Sequence, residues 1–348
     1  MAVHRQHMRR RRRQMLDEVR ISRRVIRDRL NPLEEYSDDE IFDRYRFRPA
    51  TIQYILDSIA PSIVHNTAKN CALPPTLQLL TCLRFLATGA YHRLVGDSIG
   101  VSETTTGRCC RSVTDSIITN LLKNSITFPT GNCAREIKQQ FLAVAGFPNV
   151  LGCVDGTFIR IIAPSENEPD YVNRKGFHSL NVQAVCDAKY KITSICAKWP
   201  GSVHDSRIWR ESAMCQQFEN GVHSGFLLGD SGYPCKRYLM TPFLNQSTAH
   251  QQRFNTSLCK TRVMVEQTFG ILKRRFSCLQ GVLRTDPNQA TKYGIACAIL
   301  HNIGIDRGDV VDSTQDLDKV QLRGGNGNII VAGDGVNIRN HIVDTYFT

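Results

Sequence analysis

Hydrophobic residues recur at three- and four-residue spacing through the first third of the chain, which is the pattern of helices that bury one face. Prolines and glycines interrupt this pattern and mark the ends of the elements. The predicted helices are Asp38 to Tyr45, Ala50 to Ile59, Pro75 to Thr88, Tyr91 to Ile99 and Ser102 to Leu122. We expect a small all-α domain over residues 31–125, then a connector over 126–147 that carries an amphipathic helix near Ala134 to Ala145.

After residue 148 the pattern changes to short apolar runs bounded by turn residues, which is typical of β-strands. Longer segments with helical spacing separate some of these runs. The predicted strands are Val150 to Val154, Leu180 to Cys186, Lys191 to Ala197 and Phe226 to Gly229, and the predicted helices are His204 to Gln217 and Arg262 to Phe276. Strands and helices in this order indicate an α/β domain over residues 148–303.

Three acidic residues stand out in this second part. Asp155 and Asp230 directly follow apolar strands, and Glu266 lies inside the last predicted helix. Turn residues and a solvated helix face would explain each one alone. Carboxylates from two strand ends and a helix can instead meet around hard divalent cations, which prefer oxygen ligands and leave positions open for water and phosphate oxygens. The order of these residues therefore indicates metal-dependent hydrolysis of phosphodiester bonds.

Short motifs around these residues narrow the assignment. They are Gly152-Cys-Val-Asp-Gly-Thr157, Tyr171-Val-Asn-Arg-Lys-Gly-Phe-His-Ser-Leu-Asn181, Trp199-Pro-Gly-Ser-Val-His-Asp-Ser206, Leu228-Gly-Asp-Ser-Gly-Tyr-Pro234, Arg262-Val-Met-Val-Glu-Gln-Thr-Phe-Gly270 and Leu300-His-Asn302. Together they cover roughly residues 148–303, and in this order they resemble the PIF/Harbinger group of DDE transposases and its host-derived nuclease branch. The resemblance implies a ribonuclease-H-like catalytic core, with a mixed sheet and flanking helices, preceded by a small all-α helix-turn-helix-like domain.

The resemblance also implies roles for individual residues. Asp155, Asp230 and Glu266 would form the catalytic, metal-binding triad for Mg²⁺ or Mn²⁺, and Asp205 would be a fourth carboxylate near the metals. Two-metal hydrolysis would cut a strand, and the freed 3′ hydroxyl could then attack a target strand. An alternative stands open for Asp205, because aspartate is also a favoured helix N-cap. His178 and His204 are each open between proton transfer or a phosphate contact and a structural hydrogen bond.

The composition agrees with a nucleic-acid partner. The chain has a formal net charge of +12, and residues 1–30 contribute much of it through eleven arginines, including the run Arg9 to Arg13. This segment is expected to be a basic disordered tail, which is either a nuclear localisation signal, a nucleic-acid-binding arm or a plain solvated extension. Neither a signal peptide nor a membrane span is predicted. We expect an intracellular protein of the nucleus, or of both nucleus and cytoplasm.

Two sets of residues are candidates for DNA contacts. The segment from His92 to Arg111 has the form of a helix, a glycine-containing turn and a second helix capped by Ser102, which resembles a helix-turn-helix. The residues that would then face DNA are Thr104, Thr105, Thr106 and Arg108. Candidates for phosphate contacts in the second part are Arg174, Lys175, Lys273, Arg274 and Arg275. Helices that merely pack together and a solvated basic face are the alternatives.

The remaining features carry less information. The thirteen cysteines include no Cys-x-x-Cys pair, so they are expected to be reduced thiols in the core rather than zinc ligands. Residues 304–348 are rich in glycine and are expected to form a partly flexible tail. Within this tail, Asn328 to Ala332 could add an edge strand, and Arg339 to Phe347 could form a short closing helix.

Two functions from different classes remain at this point. The first is a metal-dependent DNA endonuclease or transposase, which the intact acidic set favours. The second is a domesticated DNA-binding or adaptor protein in which the core is only a scaffold. By resemblance, Harbinger transposases work with a separate Myb-like DNA-binding protein, so such a partner is expected for this chain as well. Self-association into a homo-oligomer is a further open expectation.

Overall fold

The computed structural model describes residues 31–64, 72–310 and 335–348, and its first part is helical as predicted. These helices are α1 (Pro32–Glu35), α2 (Asp38–Tyr45), α3 (Pro49–Ile63), α4 (Pro75–Thr88), α5 (His92–Ile99), α6 (Glu103–Ser125) and α7 (Gly131–Ala145). The bounds of α2 and α4 are those predicted, and those of α3, α5, α6 and α7 differ by a few residues at their ends. The short helix α1 was not predicted. The predicted basic tail over 1–30, with its arginine run, lies outside the described residues.

A five-stranded mixed sheet follows, in the order β3-β2-β1-β4-β5. Its strands are β1 (Val150–Arg160), β2 (Ser179–Cys186), β3 (Ile192–Pro200), β4 (Phe226–Leu228) and β5 (Leu239–Met240). The predicted hairpin is confirmed, because β2 runs antiparallel to both β1 and β3. β1 and β4 are parallel, and their pairing stops at Cys153 and Leu228. Asp155 and Asp230 therefore each lie two residues beyond the last pair between β1 and β4. The predicted end of the first strand at Val154 was wrong, because β1 continues to Arg160 in antiparallel pairing with β2.

The helices of the second part are α8 (Glu168–Tyr171), α9 (Asp205–Arg210), α10 (Ala213–Glu219), α11 (Ala249–Arg275), α12 (Pro287–Asp306) and α13 (Val336–Tyr346). The prediction of one helix over His204 to Gln217 was wrong. The segment contains α9 and α10, because the side chain of Ser212 accepts a hydrogen bond from the backbone N–H of Cys215 and so starts a new helix. α11 packs across β1, β2 and β4, which brings Glu266 to the face of the sheet beside Asp155.

One buried cluster of apolar side chains runs from the helices of the first part into the sheet. α6 contributes to it by packing on α3, α4 and α5 and also against α12. Asn302 of α12 fastens this junction, since its side-chain amide donates to the carbonyl oxygens of Ser125 and Ile192 and its Oδ1 accepts from the N–H of Ile192. The cysteines of the described ranges form no disulfide bonds, and most are buried, as predicted.

The predicted helix, turn and helix from His92 to Arg111 are confirmed as secondary structure. Gly100 adopts φ 73° in the turn, and the Oγ of Ser102 accepts from the backbone N–H of Thr105 at 3.2 Å, so Ser102 caps α6 as expected. Thr104 and Arg108 are exposed and Thr105 is half-buried. Thr106 is fully buried and bonds the carbonyl of Ser102, so its predicted DNA contact was wrong. DNA contact by this hairpin stays a prediction.

Near the C-terminus, α13 packs against α11, close to where a short closing helix was predicted. The predicted edge strand Asn328 to Ala332 lies outside the described residues. Over the ranges that the structure describes, no helix combines the length and the apolar character needed to cross a membrane.

Candidate active site

The first carboxylate of the site belongs to Asp155 on β1. Its Oδ1 accepts a hydrogen bond from the backbone N–H of Gly156 at 2.8 Å, at a point where β1 is no longer paired with β4. The side chain of Asp155 keeps 18% of its surface exposed. The end of the β1–β4 pairing thus creates a place where a carboxylate can reach solvent while its backbone stays in the sheet.

Asp230 lies two residues after β4, at the same edge of the sheet. Its Oδ1 accepts a hydrogen bond from the backbone N–H of Gly232 at 2.9 Å, which closes a tight turn and holds the carboxylate near the strand end. Asp230 is close enough to Asp155 for its negative charge to raise the pKa of Asp155. Burial raises the pKa of Asp155, Arg262 and the N–H of Gly156 oppose the rise, and the charges of Asp230 and Asp205 add to it, so that the pKa is about 7.

Glu266 joins the group through Arg262, which lies one turn earlier on α11. The guanidinium donates from Nη1 to Oδ2 of Asp155 at 3.2 Å and from Nη2 to Oε1 of Glu266 at 2.7 Å. Burial lowers the pKa of Arg262, but the carboxylates of Glu266, Asp155 and Asp230 outweigh this effect and raise the pKa overall. Arg262 is therefore the internal countercharge of the acidic group. Arg262 is the first residue of the motif that contains Glu266, and its i,i+4 spacing from Glu266 was the one sequence signal of this role.

The structure resolves the two alternatives for Asp205 in part. The N-cap of α9 is His204, whose Nδ1 accepts from the backbone N–H of Ser206, so the N-cap assignment for Asp205 was wrong. The carboxylate of Asp205 turns instead toward the sheet, where its Oδ1 accepts from Nδ2 of Asn181 at 2.8 Å. A Cβ atom on Gly156 would lie only 2.3 Å from this oxygen, so the approach depends on glycine.

These carboxylates suit a hard divalent cation in kind, because they offer oxygen donors at a partly open strand edge. Burial raises the pKa values of both Asp155 and Asp205, and the negative charge of neighbouring carboxylates adds to the rise. As the side chains stand, however, no group of three or more His, Cys, Asp or Glu within 31–64, 72–310 and 335–348 is arranged to hold a metal ion. The guanidinium of Arg262 lies between two of the predicted ligands, which accounts for their separation.

Basic side chains border the acidic group on the side of α11. The charge of Arg174 acts on Asp205, and that of Lys175 acts on Lys273. Lys273 donates from Nζ to Oγ1 of Thr157 at 2.8 Å and to the carbonyl of Phe158 at 2.9 Å. Burial and the charge of Lys175 lower the pKa of Lys273 to about 8. These positions fit their predicted role as phosphate contacts without testing it.

The last of the predicted phosphate contacts needs correction. Arg274 is half-buried, but Arg275 is only 1% exposed. The guanidinium of Arg275 donates to the carbonyl oxygens of Arg46 and Asp309 and faces the ring of Phe47. A group that is buried on this scale cannot reach a DNA phosphate while the fold is intact. Arg275 is therefore a structural residue.

The motif histidines are also structural in this arrangement. His178 pairs with Glu168 at 2.7 Å, outside the acidic group, and His204 caps α9. His301 of the last motif is buried and bonds the carbonyl of Tyr190 through Nε2 at 2.8 Å. Burial lowers the pKa of His301 to about 4. Its motif thus holds α12 to the β2–β3 turn rather than contributing to the carboxylate edge.

Comparison with known proteins agrees with this geometry. The family of DDE superfamily endonucleases matches this chain over residues 154–302. The chain is 34% identical to "Putative nuclease HARBI1" of Bos taurus over 281 residues, which cover 79% of this chain and 80% of the relative. The human protein of that name is 33% identical over the same shares.

A more distant relative is "Protein ALP1-like" of Arabidopsis thaliana, which is 26% identical over 69% of this chain and 63% of its own length. No solved structure was found that matches the chain. The predicted resemblance is thus confirmed by a match along about four-fifths of the chain and of its mammalian relatives. The chain belongs to the Harbinger transposase-derived nuclease family.

Proposed function

We propose that this protein is a metal-dependent DNA endonuclease of Harbinger type. The observation that carries the proposal is the convergence of Asp155, Asp230, Glu266 and Asp205 on one edge of the sheet from four separate elements. Arg262 forms ion pairs with Asp155 and Glu266 at this edge. Buried carboxylates with raised pKa values, such as Asp155 and Asp205, are costly for stability alone, and such groups are concentrated at functional sites.

The topology supports a ribonuclease-H-like core. A three-stranded antiparallel unit, β1 to β3, is extended by β4 and β5 in parallel to β1, with crossover helices between them. Parallel neighbours place their carboxyl ends at one edge, which is where ligands gather in open α/β sheets. In this fold class the acidic residues of a nuclease would occupy the positions that Asp155 and Asp230 hold here.

The chemistry follows from the residues at this edge. Asp155, Asp205, Asp230 and Glu266 would hold Mg²⁺ or Mn²⁺, and divalent cations supply activation of water and stabilisation of the leaving oxygen when bound. Arg262 forms ion pairs with Asp155 and Glu266 and opposes the burial that raises the pKa of Asp155. Displacement of its guanidinium from one carboxylate would release that group for a ligand while the other contact remains.

Substrate binding is proposed along the basic border. Arg174, Lys175 and Lys273 lie next to the acidic group and would contact phosphates on either side of the cleaved bond. Thr104, Thr105 and Arg108 on α6 are proposed for a second contact with duplex DNA. We further propose that the protein acts in the nucleus with a Myb-like DNA-binding partner, and that its site also performs strand transfer.

The test is cleavage of end-labelled duplex DNA by the full chain in Mg²⁺, Mn²⁺ or EDTA, with and without a Myb-like partner. Asp155→Asn and Asp230→Asn are each expected to reduce cutting by about 1,000-fold, since cation binding contributes several kcal/mol to such reactions. The matched control is Asp187→Asn, because Asp187 is a buried aspartate that closes the β2–β3 turn through the N–H groups of Lys189 and Lys191.

Equal cutting by wild type and by Asp155→Asn would refute the proposed site. Salt-sensitive DNA binding with no cutting in either metal, even with the partner present, would favour a DNA-binding adaptor. Salt sensitivity is the diagnostic property, because binding through phosphates releases counterions.

A further inference from the structure

Asn181 differs from the other buried asparagines of the described ranges. Asn173, Asn255 and Asn302 each use both ends of the amide, donating through Nδ2 and accepting through Oδ1. Asn181 is 3% exposed and donates twice through Nδ2, but its buried Oδ1 has no protein partner. An amide that served only to hold the backbone would be expected to satisfy both ends.

The two donations of Asn181 have different targets. One goes to the carbonyl oxygen of Val203 at 2.9 Å and fastens the loop that precedes α9. The other goes to Oδ1 of Asp205 at 2.8 Å. This second bond is not needed to start α9, because His204 already caps that helix. Its direct effect is on the orientation of the carboxylate.

The surroundings leave the Asp205 carboxylate little freedom. Gly156 lets it approach β1 where any Cβ would collide, and Nε2 of Gln183 donates to the backbone carbonyl of Asp205 at 3.0 Å. The same Nε2 contacts the hydroxyl of the buried Tyr233 at 2.9 Å. Asn181 and Gln183, two residues apart on β2 and therefore on one face of the strand, hold the side chain and the backbone of the same residue.

We propose that Asn181 is a positioning residue that fixes the carboxylate of Asp205 beside Asp155 and Asp230, so that Asp205 can serve as a cation ligand. This inference rests on the proposed function. Partners that orient a metal ligand affect metal affinity about 10- to 100-fold when they are removed. Asn181 has this relation to Asp205 through a direct hydrogen bond.

The experiment is a double-mutant cycle read by Mn²⁺ binding to the full chain, measured by calorimetry without DNA. The variants are Asn181→Ala, Asp205→Asn and their combination, with Asn255→Ala as the matched control. Asn255 is a buried asparagine of α11 that bonds only the backbone of Phe243. We expect Asn181→Ala to weaken Mn²⁺ binding about 10-fold, and Asn255→Ala to leave it unchanged at a similar loss of thermal stability.

The combination decides between positioning and general support. If Asn181 acts through Asp205, the double variant binds Mn²⁺ no more weakly than Asp205→Asn alone. Additive losses, or no loss in Asp205→Asn, would overturn the inference. If Asn181→Ala does not fold, Asn181→Ser, which retains a hydroxyl donor in part of the same space, takes its place in the cycle and carries the same expectation of non-additivity.

Failure of the proposed function gives a different pattern. If wild type binds no Mn²⁺, or if Asp155→Asn binds it as well as wild type, the cation site itself is refuted and the inference about Asn181 falls with it. If wild type and Asp155→Asn behave as proposed while the cycle is additive, only the role of Asn181 is refuted.

Discussion

α11 buries two arginines, one at the middle of the helix and one at its last residue, and the two have different roles. Arg262 lies 9% exposed among carboxylates, and Arg275 lies 1% exposed among backbone carbonyls beside Phe47. Neighbouring charge raises the pKa of Arg262 against the effect of burial, whereas burial lowers the pKa of Arg275 to about 10, with Asp309 opposing and Arg46 adding to the shift.

The difference distinguishes a candidate binding site from a purely structural contact. The partners of Arg275 cannot change their charge or leave, so that contact can only hold the turn after α2 to the end of α12. The partners of Arg262 are carboxylates, which another cation could bind. A buried charge is thus evidence of function only when its partners could bind something else.

Replacement of Arg275 should have the largest effect on stability. Arg275→Met leaves the carbonyl oxygens of Arg46 and Asp309 without donors, and each unpaired buried group costs roughly 1–3 kcal/mol. We expect the free energy of unfolding to fall by about 4 kcal/mol in urea titrations. Mn²⁺ should not restore it. A loss below 1 kcal/mol would show that the contact does not hold the two parts together.

The sensitivity of the fold to acid should depend on His301 of α12. His301 is buried, and its pKa of about 4 lies below the unfolded value of 6.5. The folded state therefore binds fewer protons, so the stabilisation is complete above pH 6.5 and is lost as the pH falls toward 4. The loss amounts to about 3 kcal/mol.

In His301→Gln this pH dependence should largely disappear, because glutamine can donate to the carbonyl of Tyr190 and does not titrate. Urea unfolding at pH 7, 5.5 and 4.5 measures it. Parallel curves for the variant and wild type would contradict a neutral, buried His301.

In the acidic group, Arg262→Gln should destabilise the metal-free protein by about 2 kcal/mol, because Asp155 and Glu266 lose their countercharge. The cost is below that of a fully buried pair, since both carboxylates are partly exposed. Added Mn²⁺ should offset this loss, since a ligand at 100 times its Kd stabilises the folded state by about 2.7 kcal/mol. Thermal unfolding with and without MnCl₂ measures this. If Mn²⁺ stabilises Arg262→Gln no more than it stabilises Arg275→Met, the two arginines do not differ in the proposed way.

The smallest effect is expected for Lys273, which lies between the two arginines. Lys273→Gln should change stability little but lower the salt dependence of DNA binding by about one phosphate contact. Because the pKa of Lys273 is about 8, wild type should lose this contact as the pH rises from 7 to 9, and the variant should show no such change. Fluorescence anisotropy at several salt concentrations tests it, with Lys292→Gln as the control at an exposed ion pair. Equal salt slopes for both variants would exclude Lys273 from the DNA path.

The elements of the fold were largely predictable, because strand ends and helix breaks depend on local signals. The strand before Asp230 is an apolar run that a charged residue follows, as predicted. β1 continues past Asp155 to Arg160, because it stays paired with β2. The break between α9 and α10 was missed although Ser212, a favoured capping residue, marks it. Local signals that compete with apolar periodicity are easily passed over in this way.

The role of Arg275 could have been predicted from periodicity. Val265, Thr268, Leu272 and Arg275 are spaced by three, four and three residues, so they form one buried stripe of α11. The bond of Arg262 to Asp155 and that of Asn181 to Asp205 join residues that lie far apart in the sequence. No spacing rule connects such residues, and only the assembled sheet shows them.

Gly156 has a consequence for comparing related chains. Since even a methyl group at this position would collide with the carboxylate of Asp205, the glycine and the aspartate form a matched pair across more than forty residues of sequence. In a relative that retains all its acidic residues, alanine or a larger residue at this position would still indicate a displaced fourth carboxylate. A sequence survey for lost nuclease function should therefore count an absent glycine as well as an absent acid.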